Sequence, residues 1–245
     1  MNVNQDLTVI TVTFNNAAGL RKTLTSLVVA TTRPLVVIII DNLSSDGTVE
    51  IVAEFRPNLN IIYIRERDAG IYDGMNKGRE IAKTRLIHYL NSGDIICGDP
   101  YRSINESCLL PVLLQTNDRK KEWFDFVKFA GYGYCHQGII FNRSHALYDI
   151  KIRLAADIDV TFREYPKGLG DLKVSESGYV VFQLGGASSQ SGYVEMIQIV
   201  KSAYSNLNLT AATKFTALLS LKSLFPSGLK RKLASLWSHT ISPTR

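Results

Sequence analysis

The sequence predicts an α/β domain built on a mostly parallel sheet with helices on both faces, followed by a C-terminal helical basic segment. Two patterns carry this reading. Short runs that are apolar on both faces, such as "LVVIII" at 35–40, alternate with stretches of helical periodicity. Charge is also unevenly divided. From Met196 to Arg245 there is no Asp or Glu, while Lys201, Lys214, Lys222, Lys230, Arg231, Lys232 and Arg245 are all basic. The formal net charge of +6 therefore resides in that segment, which calls for an anionic partner there. The expected division is an α/β domain over 1–192 and a basic helical extension over 193–245.

The elements follow in order. "LTVITVTF" at 7–14 is β-rich, and Leu20, Leu24, Leu27 and Val28 fall at helical spacing after it. "LVVIII" is a fully apolar strand, and "SSDGTVEIVAEF" reads as a helix with a serine cap. "NIIYI" at 60–64 is a third strand. The next helix carries Ile71, Met75, Gly78 and Ala82 on one stripe, and "RLIHYLN" at 85–91 is a fourth strand. Beyond it, "CLLPVLLQTND" reads as one strand, "CHQGIIFNRS" as a strand entered through His136 and Gln137, "AADIDVTFREY" as a helix and "YVVFQL" as a late strand.

Hydrophobic content of 45% and charged content of 20% exclude disordered and fibrous classes. No apolar run approaches the roughly 18 residues of a membrane span. The N-terminus shows no signal-peptide pattern, so a cytoplasmic protein is expected. Cys97, Cys108 and Cys135 lack Cys-x-x-Cys spacing and are expected to be buried apolar residues.

In parallel sheets, ligands bind beyond the carboxyl ends of the strands, where helix N-termini and loop amides converge. Those ends carry Thr13 to Asn16, Asp41 with Asn42, Arg65 to Asp68, and Asn91 to Asp94. Each group alone suits a turn or a cap, but polar groups at every end define a cleft. Neither a Gly-x-x-x-x-Gly-Lys-Ser/Thr loop nor a Gly-x-Gly-x-x-Gly after the first strand is present, so a phosphate-bearing ligand needs a metal and scattered cations.

The stretches "ITVTFNN", "IIIDNLSSDGT", "DAGIYDGMNKG", "LNSGD", "HQGIIF", "AADIDV" and "GGASSQ" occur in the order found in the family 2 glycosyltransferases of the GT-A fold. Covering residues 7–192, the sequence resembles bacterial enzymes of O-antigen, capsule and colanic acid assembly. The resemblance implies a nucleotide-sugar donor, usually a uridine diphosphate sugar. Thr13 and Asn15 would border base and ribose, and Asp41 and Asp68 would bond uracil or ribose. Lys77 would face a phosphate, and His136 would contact the diphosphate or the acceptor. The Asp-x-Asp metal motif is reduced here to Asn91 and Asp94, which would hold Mg2+ or Mn2+ with help from substrate phosphates. "GGASS" at 185–189 would close over the donor.

Asp157 matches the family's catalytic base, with Asp159 expected to face solvent. The implied function is sugar transfer, with inversion, to a polyprenyl-diphosphate-linked saccharide at the inner membrane. The extension would bring the enzyme to an anionic membrane surface, through Leu229, Leu233, Leu236 and Trp237 beside Lys230, Arg231 and Lys232. The reduced metal motif leaves open a non-catalytic nucleotide-sugar-binding or scaffold subunit. A sugar-phosphate nucleotidyltransferase is the weaker third reading, because its glycine-rich basic loop is missing.

Overall fold

A computed structural model describes residues 2–115, 121–123, 135–153, 156–166 and 168–184. The "GGASS" stretch and the basic extension over 193–245 lie outside the described residues. The first half is regular: β1 (Asn2–Thr13), α1 (Ala17–Val29), β2 (Thr32–Asp41), α2 (Thr48–Phe55), β3 (Ile61–Arg65), α3 (Ile71–Ile81) and β4 (Leu86–Tyr89). Then come β5 (Ile95–Gly98), β6 (Cys108–Leu109), β7 (Val112–Gln115), β8 (Lys121–Trp123), β9 (Ile139–Asn142), α4 (Ala156–Glu164) and β10 (Gly178–Gln183).

Among the described residues the strands form two sheets. The larger runs β3-β2-β1-β4-β9-β6, and the smaller runs β5-β10-β7-β8. Strands β1 to β4 are mutually parallel, whereas β9 pairs antiparallel with both β4 and β6. Side-chain alternation sorts the core by face. Leu7 and Val9 of β1, and Val37 and Ile39 of β2, pack with Leu20, Leu24 and Leu27 of α1 and with Val52 and Phe55 of α2. Ile10, Val12, Ile38 and Ile40 point the other way, onto Tyr72 and Met75 of α3 and Val160 of α4. Helices therefore cover both faces, as the two-sided apolar strands require.

The structure changes two sequence-based expectations. "CLLPVLLQTND" is not one strand. Its chain turns at Pro111, so that β6 joins the large sheet and β7 the small one. Proline lacks the amide a central strand must donate, which favours this break. Helix α2 begins at Gly47 (φ 88°), with no side-chain cap. The flanking Asp46 instead accepts from Thr48 Oγ1 at 2.7 Å and from the amide of Ala17 at 2.7 Å.

Candidate active site

Register places the carboxyl ends side by side. Thr13 pairs with Asp41, and Asp41 with Arg65, across three adjacent strands. The amide of Ser92 donates to Val12 O at 3.3 Å, which brings the loop after β4 to the same edge.

The first two ends build a shaped floor. Asp41 is fully buried. Its Oδ1 accepts from the amide of Ser44 at 3.0 Å and its Oδ2 from the Tyr63 hydroxyl at 2.6 Å. Ser44 Oγ accepts from the amide of Asn15 at 2.8 Å, and Asn15 Oδ1 accepts from the amide of Ser45 at 2.9 Å. Asn15 sits in the left-handed region (φ 46°), which asparagine tolerates better than most residues. The expectation of a direct donor contact changes for Asp41: with both oxygens engaged inside the core, it shapes the β2 loop. Asn15 clamps that loop from the end of β1.

The loop from β3 into α3 is held by its own charges. Lys77 Nζ donates to Arg67 O at 2.7 Å and pairs with Glu66 at 3.0 Å and with Asp73 at 3.4 Å. The structure thus gives Lys77 a loop-holding place, in contrast to the phosphate contact expected for it. Asp73 accepts from the amide of Ala69 at 2.9 Å, and Asp68 Oδ1 from the amide of Gly70 at 3.0 Å. Asp68 Oδ2 is buried without a partner, and burial pushes its carboxyl above the usual range.

After β4, the amide of Asp94 donates to Asn91 O at 3.0 Å. Thr23 of α1 steadies this turn, donating to Asp94 O at 2.7 Å and accepting from the amide of Gly93 at 3.0 Å. The Asp94 carboxylate is buried, and its Oδ1 accepts from the amide of Gln183 at 3.0 Å. Burial raises its pKa to about 7, against the lowering effect of that bond. Asn91 Oδ1 is buried without a partner. No group of three or more His, Cys, Asp or Glu among the described residues is placed to hold a metal. A cation held at Asp94 and Asn91 would have to take most of its ligands from phosphate and water.

In α4, Asp157 Oδ1 accepts from the Tyr72 hydroxyl at 2.9 Å and from the amide of Ile158 at 3.0 Å. Burial raises the Asp157 carboxyl. Asp159 does not face solvent: it is 8% exposed and pairs with Arg163, Nε to Oδ2 at 2.9 Å, within α4. The expectation for His136 also changes. It opens a 3-10 turn (His136–Gly138), is buried, and bonds the Tyr148 hydroxyl at 2.5 Å within a ring cluster containing Tyr89, Phe141 and His145. Burial lowers its pKa to about 3, so it is a neutral core residue.

Two residues at the site escaped the sequence reading. Phe14 is 59% exposed at the end of β1, flanked by Thr13 and Asn15. An aromatic residue between two polar ones, just past a buried strand, was the available signal. Tyr72, which holds Asp157, gave none, because it lies on a different helix 85 residues away.

Five buried side-chain polar atoms among the described residues lack a partner, and three of them are Thr13 Oγ1, Asp68 Oδ2 and Asn91 Oδ1. Each unmet group costs on the order of 1–3 kcal/mol, so their gathering at one sheet edge marks a place prepared for a polar ligand.

The profile of the family described as "Glycosyl transferase family 2" matches residues 8–96. The "PGL/p-HBAD biosynthesis glycosyltransferase" of Mycobacterium tuberculosis is 28% identical over 169 residues, covering 62% of this chain and 66% of the relative, just under two thirds of its length. Staphylococcus aureus TarS 1-349 in complex with UDP superposes with a TM-score of 0.66 at 16% identity, over 86% of this chain and 71% of that one. The mannosyltransferase PcManGT of Pyrobaculum calidifontis, in complex with GDP-Man and Mn2+, gives 0.62 at 14% identity, over 97% and 81%. The chain therefore resembles the family 2 glycosyltransferases, over residues 8–96 in particular, and has the GT-A fold.

Proposed function

We propose that the chain transfers a sugar from a nucleoside-diphosphate donor, with UDP-sugars favoured, to a lipid-linked saccharide in surface-polysaccharide assembly. The observation that carries this reading is the gathering of unpartnered, buried Thr13 Oγ1, Asp68 Oδ2 and Asn91 Oδ1 at the carboxyl ends of β1, β3 and β4. TarS in complex with UDP-GlcNAc and PcManGT with GDP-Man share the fold, which supports a nucleotide sugar in this cleft.

In this reading Asp68 accepts from the base imide or the ribose, Thr13 bonds the same moiety, and exposed Phe14 offers a face on which a base stacks. Asn15 and Asp41 act indirectly, by fixing the β2 loop. Asp94 and Asn91 would hold Mg2+ or Mn2+, which neutralises the diphosphate leaving group. Asp157 accepts the proton of the attacking hydroxyl while the donor's anomeric carbon inverts. The subclass fits hexosyl or N-acetylhexosaminyl transfer.

The acceptor places the enzyme on the cytoplasmic face of the inner membrane. No described helix is long and apolar enough to cross a bilayer. The basic extension supplies the attachment, at about 1 kcal/mol per basic residue near an anionic leaflet. A chain ending before Gly228 should lose binding to anionic liposomes, and equal sedimentation of both chains would exclude this attachment.

A donor-hydrolysis screen across UDP- and GDP-sugars, with magnesium and with manganese, tests the main reading. Metal-dependent turnover of one donor is expected. Tight donor binding without turnover, even with acceptor lipid present, would instead favour a non-catalytic binding subunit.

A further inference from the structure

We propose that Tyr72 is a positioning residue for Asp157: its hydroxyl fixes Oδ1 and leaves Oδ2 as the oxygen that takes the acceptor's proton. The proposal rests on the reading of Asp157 as the base. Two bonds converge on Asp157 Oδ1, from the Tyr72 hydroxyl at 2.9 Å and from the amide of Ile158 at 3.0 Å. Among the described residues none reaches Oδ2. One oxygen is thus anchored to two elements, α3 and α4, and the other is left for chemistry.

The anchor is itself immobile. Tyr72 is 8% exposed, and its ring stacks on Tyr148 with centroids 5.4 Å apart and planes at 26°. Tyr148 is held at three points. Its hydroxyl bonds His136 Nε2 at 2.5 Å, its amide donates to Asn76 Oδ1 at 2.9 Å, and its carbonyl accepts from Asn76 Nδ2 at 2.9 Å. The Tyr89 ring closes on Tyr148 edge-on at 5.4 Å. A phenol clamped this way cannot follow a drifting carboxylate, so it dictates where the carboxylate stands. Asn76 and Tyr72 share α3, the helix entered through the Asp68 loop, so the donor wall and the base are tied by one rigid element.

The clamp also bears on the carboxylate's charge. Burial raises the Asp157 carboxyl, and the Tyr72 hydroxyl is the leading influence that lowers it again. A bond donated to the ionised form favours that form. Among the described residues, the other titratable groups that sense Asp157 are Tyr148 and the Cys135 thiol, both pushed upward chiefly by burial and so uncharged at neutral pH. In the transfer, the acceptor oxygen forms its bond to the anomeric carbon as the bond to the diphosphate oxygen breaks. The departing diphosphate keeps that electron pair, and the acceptor's proton passes to Asp157 Oδ2.

Tyr72→Phe keeps the ring stack and removes only the hydroxyl. It should lower kcat about tenfold with donor KM unchanged, and move the acid limb of the pH–rate profile to higher pH. Tyr101→Phe, which removes a buried hydroxyl bonded to His88 and outside the clamp, is the comparator and should leave that limb in place. A Tyr72→Phe enzyme with wild-type kcat and profile, beside an inactive Asp157→Asn, would overturn the proposal while sparing the base. Equal shifts of the limb in Tyr72→Phe and Tyr101→Phe would overturn it too, by showing a merely structural role. Near-normal turnover in Asp157→Asn would remove the base reading and the proposal with it.

Discussion

Gly78→Ala would test how tightly the donor-side helix is seated on the sheet. Gly78 lies in the last turn of α3 and is buried against β1. A Cβ built there meets Ile10 Cγ2 at 2.5 Å, with Ile10 Cδ1 at 3.3 Å. Real Cβ contacts do not close to that distance, so the helix or Ile10 must move. Ile10 has no exposure and is packed among Ile38, Ile87 and Met75, which leaves its side chain nowhere to turn. Alanine in a helix gains roughly 1 kcal/mol over glycine, while overpacking a tight core costs about 1–3 kcal/mol. Adding the second methyl-scale clash at Cδ1 puts the cost at the upper end, for a net loss of about 1–2 kcal/mol.

For a domain of this size that loss lowers Tm by about 2–8 °C. Gly170, whose added Cβ would meet nothing within 4 Å, is the control, and Gly170→Ala should hold Tm. Thermal melts of both variants decide the matter. A Gly78→Ala protein as stable as wild type would refute the argument, since it would mean that α3 shifts without cost and cannot set the geometry of Tyr72 and Asp68.

Two further outcomes follow from the site and its supports. Asp94→Ala should abolish turnover and metal-dependent nucleotide binding together, and full turnover in excess chelator would contradict the assignment of Asp94. Acid should weaken the fold, because burial lowers His88 to about 4, His136 to about 3 and His145 to about 4, from 6.5. Stability from these depressed groups is complete above pH 6.5 and is lost as pH falls toward their folded values. At pH 5 each contributes a loss of about 2 kcal/mol relative to pH 7.5. Asp94, raised from 3.8 to about 7, acts oppositely and returns about 3 kcal/mol over the same interval. Burial also raises Asp68 and Asp157, which act with Asp94 and reduce the net loss; with three histidines opposed to them, the urea midpoint is expected to be lower at pH 5 than at pH 7.5. An equal or higher midpoint at pH 5 would refute it.

The parallel half of the sheet was legible because its strands are apolar on both faces, a pattern that only a sheet covered twice needs. The edge bearing Thr13, Asp68, Asn91 and Asp94 was legible for a related reason: polar groups placed directly after every buried run exceed what turns and caps alone require. What the pattern missed depends on contacts between distant segments. The split at Pro111 turns on which sheet each half joins, and no local periodicity encodes that. Asp41 has the chemistry of a ligand contact, yet Tyr63 and Ser44 consume both its oxygens inside the core. Asp159 was legible in principle, since Arg163 stands four residues on, at the spacing that pairs charges along a helix. A histidine at a strand entrance, as His136 is, likewise suits a ligand contact. The rings that enclose it come from Tyr89 on β4, Phe141 on the adjoining β9 and Tyr148 in the loop beyond, and no local periodicity brings the three together.

The central claim is that the unpartnered oxygens at the ends of β1, β3 and β4 receive a nucleoside diphosphate. Calorimetric titration of UDP and of GDP, with magnesium and with manganese, into wild-type protein, Asp68→Asn and Asn91→Ala tests it most directly. Losing a hydrogen bond to a charged or buried partner costs about 1.5–3 kcal/mol, so each variant should bind about tenfold or more weakly than wild type. One saturable site in the wild type with that weakening in both variants is the predicted result. Wild-type affinity in both variants, or no binding of either nucleotide with either metal, would contradict it.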